Sequence, residues 1–265
     1  MQFQNFKNIH FIQTGKGPGT ILFLHGNSLS SETFRYQLNE KALQKYNLIA
    51  IDFPGHGKSK WSDNKAQDYS LFGFRDVVID VIQHYNIEEF IFAGHSLGGH
   101  VAIECLPFVE NCRGIMIWGT PPIKSPLDTS KIFMPIPELG LLFKPELSGE
   151  EIDKLGEIYS SQKNSDLFKE AVKLADPQFR SYLPQSLTAG KLSDEVAILE
   201  ASNVPVAILK GISDKVVNPE YLNSLKLPNL WKNNIIEIKN SGHSIQLEIP
   251  KDFNEKLIEF ANYYL

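Results

Sequence analysis

The chain has 265 residues, a formal net charge of −5 and a sequence pI of about 5.8. Hydrophobic residues make up 42% and charged residues 22%, which is typical of a globular protein with a sizeable core. The acidic balance argues against nucleic acid and anionic membranes as partners, because both attract basic surfaces. No stretch approaches the roughly 20 apolar residues of a membrane span, and the first residues do not resemble a signal peptide. We therefore predict a cytoplasmic protein without a membrane partner.

The two cysteines, Cys105 and Cys112, flank the end of a predicted helix and lack the spacing of a metal site. We expect both to be reduced and structural. No cluster of His, Cys and Asp has the spacing of metal ligands, and no glycine-rich nucleotide-binding motif occurs. We therefore predict no metal site.

Short apolar runs alternate with longer amphipathic segments along the chain. Each run has four to six residues, is rich in β-branched or aromatic side chains and ends near Gly, Pro, Asp or Asn, which is typical of buried parallel strands. The runs are 20–24, 48–53, 90–93, 114–118, 204–209 and 235–238. Apolar residues at helical spacing lie between them, for example at 77–85 and 253–264. The pattern predicts an α/β fold with a mainly parallel sheet covered on both faces.

The alternation breaks after Trp118. The following segment is rich in proline and continues with helical patterns around 150–161, 165–175 and 194–201. A long insertion with its own elements is usually a subdomain over a site. We predict a core formed by 1–119 and 203–265, with a helical cap subdomain at 120–202.

A GxSxG motif, GHSLG, lies at 94–98, between the predicted strand at 90–93 and a helix predicted from His100 to about Leu106. A sharp turn of this kind between a strand and a helix exposes a serine hydroxyl at the carboxyl edge of the sheet, beside the positive end of the helix. Its neighbours must be small, because the serine backbone is strained and closely packed. Ser96 is therefore the candidate nucleophile.

Two later loops carry the residues that could activate this serine. Asp214 follows the strand at 204–209 and His243 follows the strand at 235–238. Loops beyond the carboxyl ends of strands are where open α/β sheets build their sites. The order serine, acid, histidine assigns His243 as general base and Asp214 as the carboxylate that orients it. Asp128 is a competing acid, although a proline-rich segment separates it from the strand at 114–118.

Two further loops bear on this site. The segment HGNS, at 25–28, follows the strand at 20–24, and we expect the backbone N–H groups of Asn27 and Leu97 to hold the oxyanion. His25 is interpreted as a structural histidine of that loop. Asp52 and His56 could form an acid–base pair, but stabilisation of their tight turn is the favoured interpretation. The remaining candidates are interpreted as surface, helix or packing histidines, namely His10, His84, His95 and His100.

The segments HGNS, DFPGHGKS, GHSLGG, GISD and NSGH together resemble the α/β-hydrolase superfamily across nearly the whole chain. The resemblance implies an eight-stranded sheet, a helical cap inserted after the sixth strand, and no cofactor. The segments HGNSLSSETF, PGHGKS, SLGGHVAIE, MIWGTPP and NLWKNNIIEIKNSGH are more specifically similar to the N-acylhomoserine lactone hydrolases of this fold. That likeness implies that Asn27 holds the oxyanion, that Ser96 is the nucleophile, that Asp214 is the acid and that His243 is the base.

The chain departs from these lactonases at two places. Position 95 is His where the lactonases carry Trp, and their lactone-binding cap tyrosine is matched most nearly by Leu155, with Tyr159 a turn later. Phe133 and Met134 are further substrate-binding candidates in the cap. Their apolar neighbourhood could line an acyl pocket, or form a cap core or a dimer contact. It comprises Ile132, Ile136, Leu139, Leu141, Leu142 and Phe143.

The predicted function is hydrolysis of a small-molecule carboxylic ester or lactone, such as an N-acylhomoserine lactone, by a monomer or homodimer. General carboxylesterases, C–C bond hydrolases and perhydrolases share this triad and remain alternatives, as does a non-catalytic ligand receptor. Epoxide hydrolases and haloalkane dehalogenases of the same fold use an aspartate nucleophile, so Ser96 excludes them.

Overall fold

The computed structural model describes residues 2–160 and 165–265. Eight strands form one sheet in the order β1-β2-β4-β3-β5-β6-β7-β8. They are β1 Gln2–Phe6, β2 Ile9–Thr14, β3 Thr20–Leu24, β4 Asn47–Ile51, β5 Phe90–His95, β6 Cys112–Trp118, β7 Val206–Gly211 and β8 Ile236–Ile238. The pairs β1–β2 and β2–β4 are antiparallel, and every other pair is parallel. The predicted α/β fold with a mostly parallel, eight-stranded sheet is confirmed.

The α-helices are α1 Arg35–Leu38, α2 Lys65–Asp68, α3 Leu71–His84, α4 Leu97–Cys105, α5 Thr129–Ile132, α6 Gly149–Tyr159, α7 Ser165–Leu174, α8 Phe179–Thr188, α9 Glu195–Ala201, α10 Pro219–Ser224, α11 Ile245–Glu248 and α12 Pro250–Tyr264. Short 3₁₀ turns lie at Ser31–Phe34, Lys41–Leu43, Leu106–Phe108, Pro137–Phe143 and Trp231–Asn233. The helices α5 to α9 follow β6, the sixth strand, and precede β7. Helices therefore follow the sixth strand, as the sequence predicts.

The sheet is apolar on both faces. In β3, Leu22 and Leu24 join the cluster that contains Phe74 and Val101, whereas Ile21 and Phe23 point to the opposite face. This alternation is the two-residue period of a strand. Because α3 and α4 cover one face and α12 the other, all five residues of β3 are buried. A strand that is buried on both faces has a continuous apolar sequence, so it is easily recognised in the amino-acid sequence.

Two parts of the fold were not predicted from periodicity. The strands β1 and β2 form an antiparallel hairpin, and β2 ends in half-buried Gln13 and Thr14, so it lacks a continuous apolar run. The helix α8 contains Pro184, which removes a backbone hydrogen bond and argues against a helix in sequence. The helical pattern predicted for 150–161 ends at Ser161, outside the described residues.

The helices after β6 are joined to the loops at the carboxyl edge of the sheet. A third apolar cluster contains Leu155, Tyr159 and Phe168 from α6 and α7, together with Leu29 and Val216 from loops after β3 and β7. The backbone N–H of Met134 also donates to the carbonyl of Val216 at 2.9 Å. The inserted helices therefore pack over the edge where the candidate site residues lie. The division into core and cap at 120 and 202 stays a prediction.

Candidate active site

Ser96 lies in the sharp turn between β5 and α4, as the motif predicts. Its backbone has φ 51° and ψ −116°, a conformation that non-glycine residues rarely adopt and that costs about 1–3 kcal/mol. The turn is held by the Ser96 N–H, which donates to Trp118 at 2.9 Å, and by Thr120 Oγ1, which donates to the Ser96 carbonyl at 2.8 Å. A side chain on Gly98 would place its Cβ 2.0 Å from the Leu24 carbonyl oxygen, so this position requires glycine.

Asp214 and His243 meet across the loops that follow β7 and β8. The Nδ1 atom of His243 lies 3.1 Å and 3.0 Å from the two carboxylate oxygens of Asp214. The carboxylate also accepts hydrogen bonds from the N–H groups of Val216, at 2.8 Å, and Val217, at 3.3 Å. Burial acts to raise the pKa of Asp214, but His243 and these N–H groups lower it overall. The geometry favours a charged carboxylate that receives the Nδ1–H of the imidazole, leaving Nε2 available to accept a proton.

Gly119 brings the histidine and the serine loop together. A Cβ at this glycine, whose φ is +60°, would lie 2.8 Å from His243 Cε1 and 3.2 Å from Nε2. The preceding residue, Trp118, is the one that accepts the Ser96 N–H. His95 supports the same arrangement, because its Nε2 donates to the His243 carbonyl at 3.1 Å. The imidazole of His243 is therefore packed directly against the strand end that anchors Ser96.

Asn27 and Leu97 lie beside Ser96 at the wall of one cavity. Leu97 is the first residue of α4, so its N–H has no acceptor within the helix. The Asn27 carbonyl accepts a 2.6 Å hydrogen bond from the hydroxyl of Tyr159, and its side-chain oxygen accepts one from Ser28 at 2.8 Å. These contacts fix the loop that was predicted to supply the first oxyanion donor.

The cavity has a volume of about 440 Å³ and is mostly apolar. Half-buried Ser96 lies in its wall. The inserted segment contributes the apolar side chains Phe133, Met134, Ile136, Leu139, Leu142 and Phe143. The structure therefore brings six of the eight apolar residues named from the sequence to one wall, whereas Ile132 and Leu141 are not in it. Of the other substrate-binding candidates, Leu155 and Tyr159 are buried in the third apolar cluster.

The alternative candidates make other contacts. His25 Nδ1 bonds the Gly26 carbonyl at 2.8 Å and its Nε2 accepts the Phe53 N–H at 3.0 Å, as expected of a structural histidine. Asp52 bonds His10 at 2.7 Å and not His56, whose Nδ1 bonds Pro54. Asp128 caps α5 and forms an ion pair with Lys131 at 3.0 Å.

Two polar features near the cavity were not recognised in the sequence. Arg180 of α8 donates to the carbonyls of Lys144 and Pro145, at 2.8 Å and 2.7 Å, and to Ser28 Oγ at 3.2 Å. His100, interpreted above as a surface, helix or packing residue, lies in the cavity wall and bonds the buried carboxylate of Glu195. His100 and Glu195 are 95 positions apart, and Arg180 and Ser28 are 152 positions apart. A sequence pattern does not reveal contacts between such distant residues.

Within residues 2–160 and 165–265, no group of three or more His, Cys, Asp or Glu side chains is placed to hold a metal ion. No helix in that part of the chain is long and apolar enough to cross a membrane. Cys105 and Cys112 are buried, unpaired thiols, and burial raises the pKa of Cys112 to about 12.

The sequence profile of the alpha/beta hydrolase family matches residues 21–256, and the chain belongs to this family. It is a hydrolase of the α/β-hydrolase fold. The AB hydrolase superfamily protein YisY of Bacillus subtilis is 25% identical over 261 residues, which cover 91% of this chain and 91% of that protein.

Solved structures of hydrolases also match this chain over nearly its whole length. The N-acyl homoserine lactonase AidH, in complex with N-butanoyl homoserine, matches with a TM-score of 0.94 and 26% identity, covering 99% of this chain and 97% of that one. A mutant of that lactonase complexed with N-hexanoyl homoserine lactone also matches with a TM-score of 0.94. An esterase from Thermogutta terrifontis shares the fold, with a TM-score of 0.78 at 18% identity and coverage of 97% and 93%.

Proposed function

We propose that this chain is a serine hydrolase that cleaves a carboxylic ester or lactone through an acyl-enzyme formed on Ser96. The observation that carries the proposal is the position of Ser96, in a strained turn at the wall of an apolar cavity. The paired side chains of His243 and Asp214 pack against the adjoining strand end. Gly119 lines the same cavity as Ser96 and contacts His243, so the base and its orienting acid lie directly behind the wall that bears the nucleophile.

In the proposed reaction, His243 Nε2 removes the proton of the Ser96 hydroxyl as the oxygen attacks the carbonyl carbon. The imidazolium then returns this proton to the oxygen of the leaving alcohol. In the second step His243 removes a proton from water, which attacks the acyl-enzyme and releases the acid and the free Ser96 hydroxyl. Asp214 holds Nδ1–H and thereby fixes the tautomer in which Nε2 can accept a proton. Its three hydrogen-bonding neighbours keep the carboxylate charged, so it stabilises the imidazolium that forms.

The negative charge of the tetrahedral intermediate is assigned to the backbone N–H groups of Asn27 and Leu97. Each such donor typically contributes about 10²–10³ in rate, because it is already oriented toward the developing charge. Tyr159 and Arg180 support this arrangement from the inserted helices, through Asn27 and Ser28. We propose that residues 120–202 act as a cap that completes the site on the core formed by 1–119 and 203–265.

The apolar wall supports an acyl group as the part of the substrate bound under the cap. The 26% identity and the TM-score of 0.94 to AidH support N-acylhomoserine lactones as the substrate class to test first. A general carboxylesterase would use the same residues and differ in its preference among leaving groups.

The test is a hydrolysis screen that compares acylhomoserine lactones of several chain lengths with simple nitrophenyl esters, by kcat/KM. We expect wild-type turnover that depends on acyl length, and we expect Ser96→Ala to retain only a residual activity of about 10³–10⁴ over water. Ser224→Ala, an exposed serine on α10, is the matched control and should behave as wild type. Absence of wild-type turnover of every ester and lactone between pH 6 and 9 would refute the proposal, and so would near-wild-type turnover by Ser96→Ala.

A further inference from the structure

A second histidine–carboxylate pair lies in the wall of the same cavity. His100 is on α4, and its Nδ1 lies 2.8 Å from Glu195 Oε2, at the start of α9. The Glu195 side chain is fully buried and also accepts the backbone N–H of Ile123 at 2.7 Å. This carboxylate is therefore fixed by contacts from two other segments, and it holds the imidazole ring in one orientation.

The position of His100 relates it directly to the candidate nucleophile. It follows Ser96 by four residues, or about one helical turn and roughly 6 Å along the helix axis. Both residues line the cavity, together with the apolar side chains of Ile123, Leu127 and Leu187. Nδ1 faces Glu195, so Nε2 is the ring nitrogen that remains for a group bound in the cavity. No hydrogen-bond partner for Nε2 occurs among residues 2–160 and 165–265.

The protonation of the pair decides what Nε2 can recognise. Burial raises the pKa of Glu195 against the opposing effect of His100, and nearby Glu104 raises it further. The raised pKa of Glu195 favours a carboxyl group that keeps its proton and donates it to Nδ1, in contrast to Asp214, whose pKa is lowered. An imidazole that accepts a hydrogen bond at Nδ1 carries its own hydrogen on Nε2. The ring therefore offers a hydrogen-bond donor to the cavity.

We propose that His100 is a specificity-determining residue that donates from Nε2 to an oxygen acceptor on the acyl part of the substrate, such as a ketone or amide carbonyl. Glu195 is the positioning residue that holds the ring. The inference rests on the proposed esterase or lactonase function. It adds that the preferred acyl group is not a plain hydrocarbon: it carries an uncharged oxygen about one helical turn from the carbonyl that Ser96 attacks.

The experiment compares nitrophenyl esters in matched pairs, pentanoate with 4-oxopentanoate and hexanoate with 5-oxohexanoate, in full-length protein. We expect wild type to prefer the oxo-ester of at least one pair, and His100→Phe to reduce the ratio of the two kcat/KM values about tenfold, the value of one good hydrogen bond. The ratio is taken within each protein, so a change in the rate for plain esters cancels from the comparison. His100→Gln, which retains an N–H donor, should keep part of the preference.

Two further variants keep the result interpretable. His84→Phe makes the same chemical change at the exposed end of α3 and should leave the ratio unchanged. His100→Leu provides a second apolar replacement should His100→Phe fail to fold, which a thermal melt detects. A wild-type ratio near one for both pairs, or an unchanged ratio in the folded apolar variants, would overturn the inference while leaving esterase activity intact. If wild type hydrolyses none of the four esters and none of the lactones and esters of the screen above, the proposed function fails and the inference fails with it.

Discussion

The hydroxyl of Tyr159 donates a 2.6 Å hydrogen bond to the main-chain carbonyl of Asn27. The two residues are 132 positions apart, and the bond connects the inserted helix α6 to the loop after β3. Tyr159 is almost fully buried and its ring stacks on Phe168, with a centroid distance of 5.5 Å. The inserted helices are therefore coupled to the loop that is proposed to hold the oxyanion.

We predict that Tyr159→Phe lowers kcat about tenfold and changes KM much less. The substitution preserves the ring stacking but leaves the buried Asn27 carbonyl unpaired, which costs about 1–3 kcal/mol and loosens the loop. An oxyanion donor acts mainly in the transition state, so its displacement reduces kcat. Steady-state kinetics with one good ester substrate checks this. Tyr263→Phe, at a side chain that is 77% exposed, is the control; equal kcat values in all three proteins would contradict the prediction.

We predict that Asp214→Asn lowers kcat/KM about 10³–10⁴-fold, whereas Asp128→Asn stays near wild type. The asparagine retains the size of the side chain but favours the wrong tautomer of His243 and removes the charge that stabilises the imidazolium. Asp128 instead bonds Ser130 and Lys131 on its own short helix. The two variants are compared at saturating and low substrate. If Asp128→Asn is the damaging change, the acid has been assigned to the wrong residue.

We predict that Gly119→Ala lowers kcat at least 100-fold in a protein that still folds. The new Cβ would lie 2.8 Å from His243 Cε1, and the positive φ of +60° adds backbone strain, so the imidazole must move away from Ser96. Gly149→Ala is the matched control, because nothing lies within 4 Å of its Cβ position. Activity and circular dichroism are measured on both variants; full activity in Gly119→Ala would show that His243 is not constrained by this contact.

We predict that the free energy of unfolding falls as the pH is lowered from 6.5 toward 4. Burial lowers the pKa of His25 from 6.5 to about 4, and it lowers the pKa values of His56 and His95 well below 6.5. The unfolded chain therefore binds protons that the folded protein does not, and stability present above pH 6.5 is lost as pH falls. Each such histidine contributes about 1.4 kcal/mol per pH unit within this window.

Urea unfolding at half-unit steps of pH measures this dependence. A flat unfolding free energy between pH 6.5 and 5 would contradict it. The lowered pKa of Asp214 acts in a separate range, because an aspartate with a depressed pKa loses its contribution only as pH falls below its ordinary value of 3.8. Between pH 6.5 and 5 the histidine effect is therefore separate from that of Asp214.

The positions of β3 to β8 were predicted to within a few residues. Most of these strands are buried on both faces and are therefore continuously apolar, whereas the short β8 has an exposed glutamate at its centre. The turn at Ser96 was found for a related reason, since its GxSxG residues fall between such a strand and a helix. The hairpin of β1 and β2 was not found, because β2 ends in polar, half-buried residues. Helix α8 was not found, because a proline in a helix is tolerated only where tertiary packing compensates for the lost hydrogen bond.

The sequence by itself determined the fold and the identities of Ser96, Asp214 and His243 as candidates, because each follows a strand whose local pattern is unmistakable. Only the tertiary structure decided which partners they and their neighbours have. It placed Asp214, and not Asp128, against His243. It also showed that His100, expected to be a surface, helix or packing residue, lies in the cavity wall and bonds Glu195, 95 positions away. Local periodicity records which side of an element is buried, but it carries no information on which distant groups meet there.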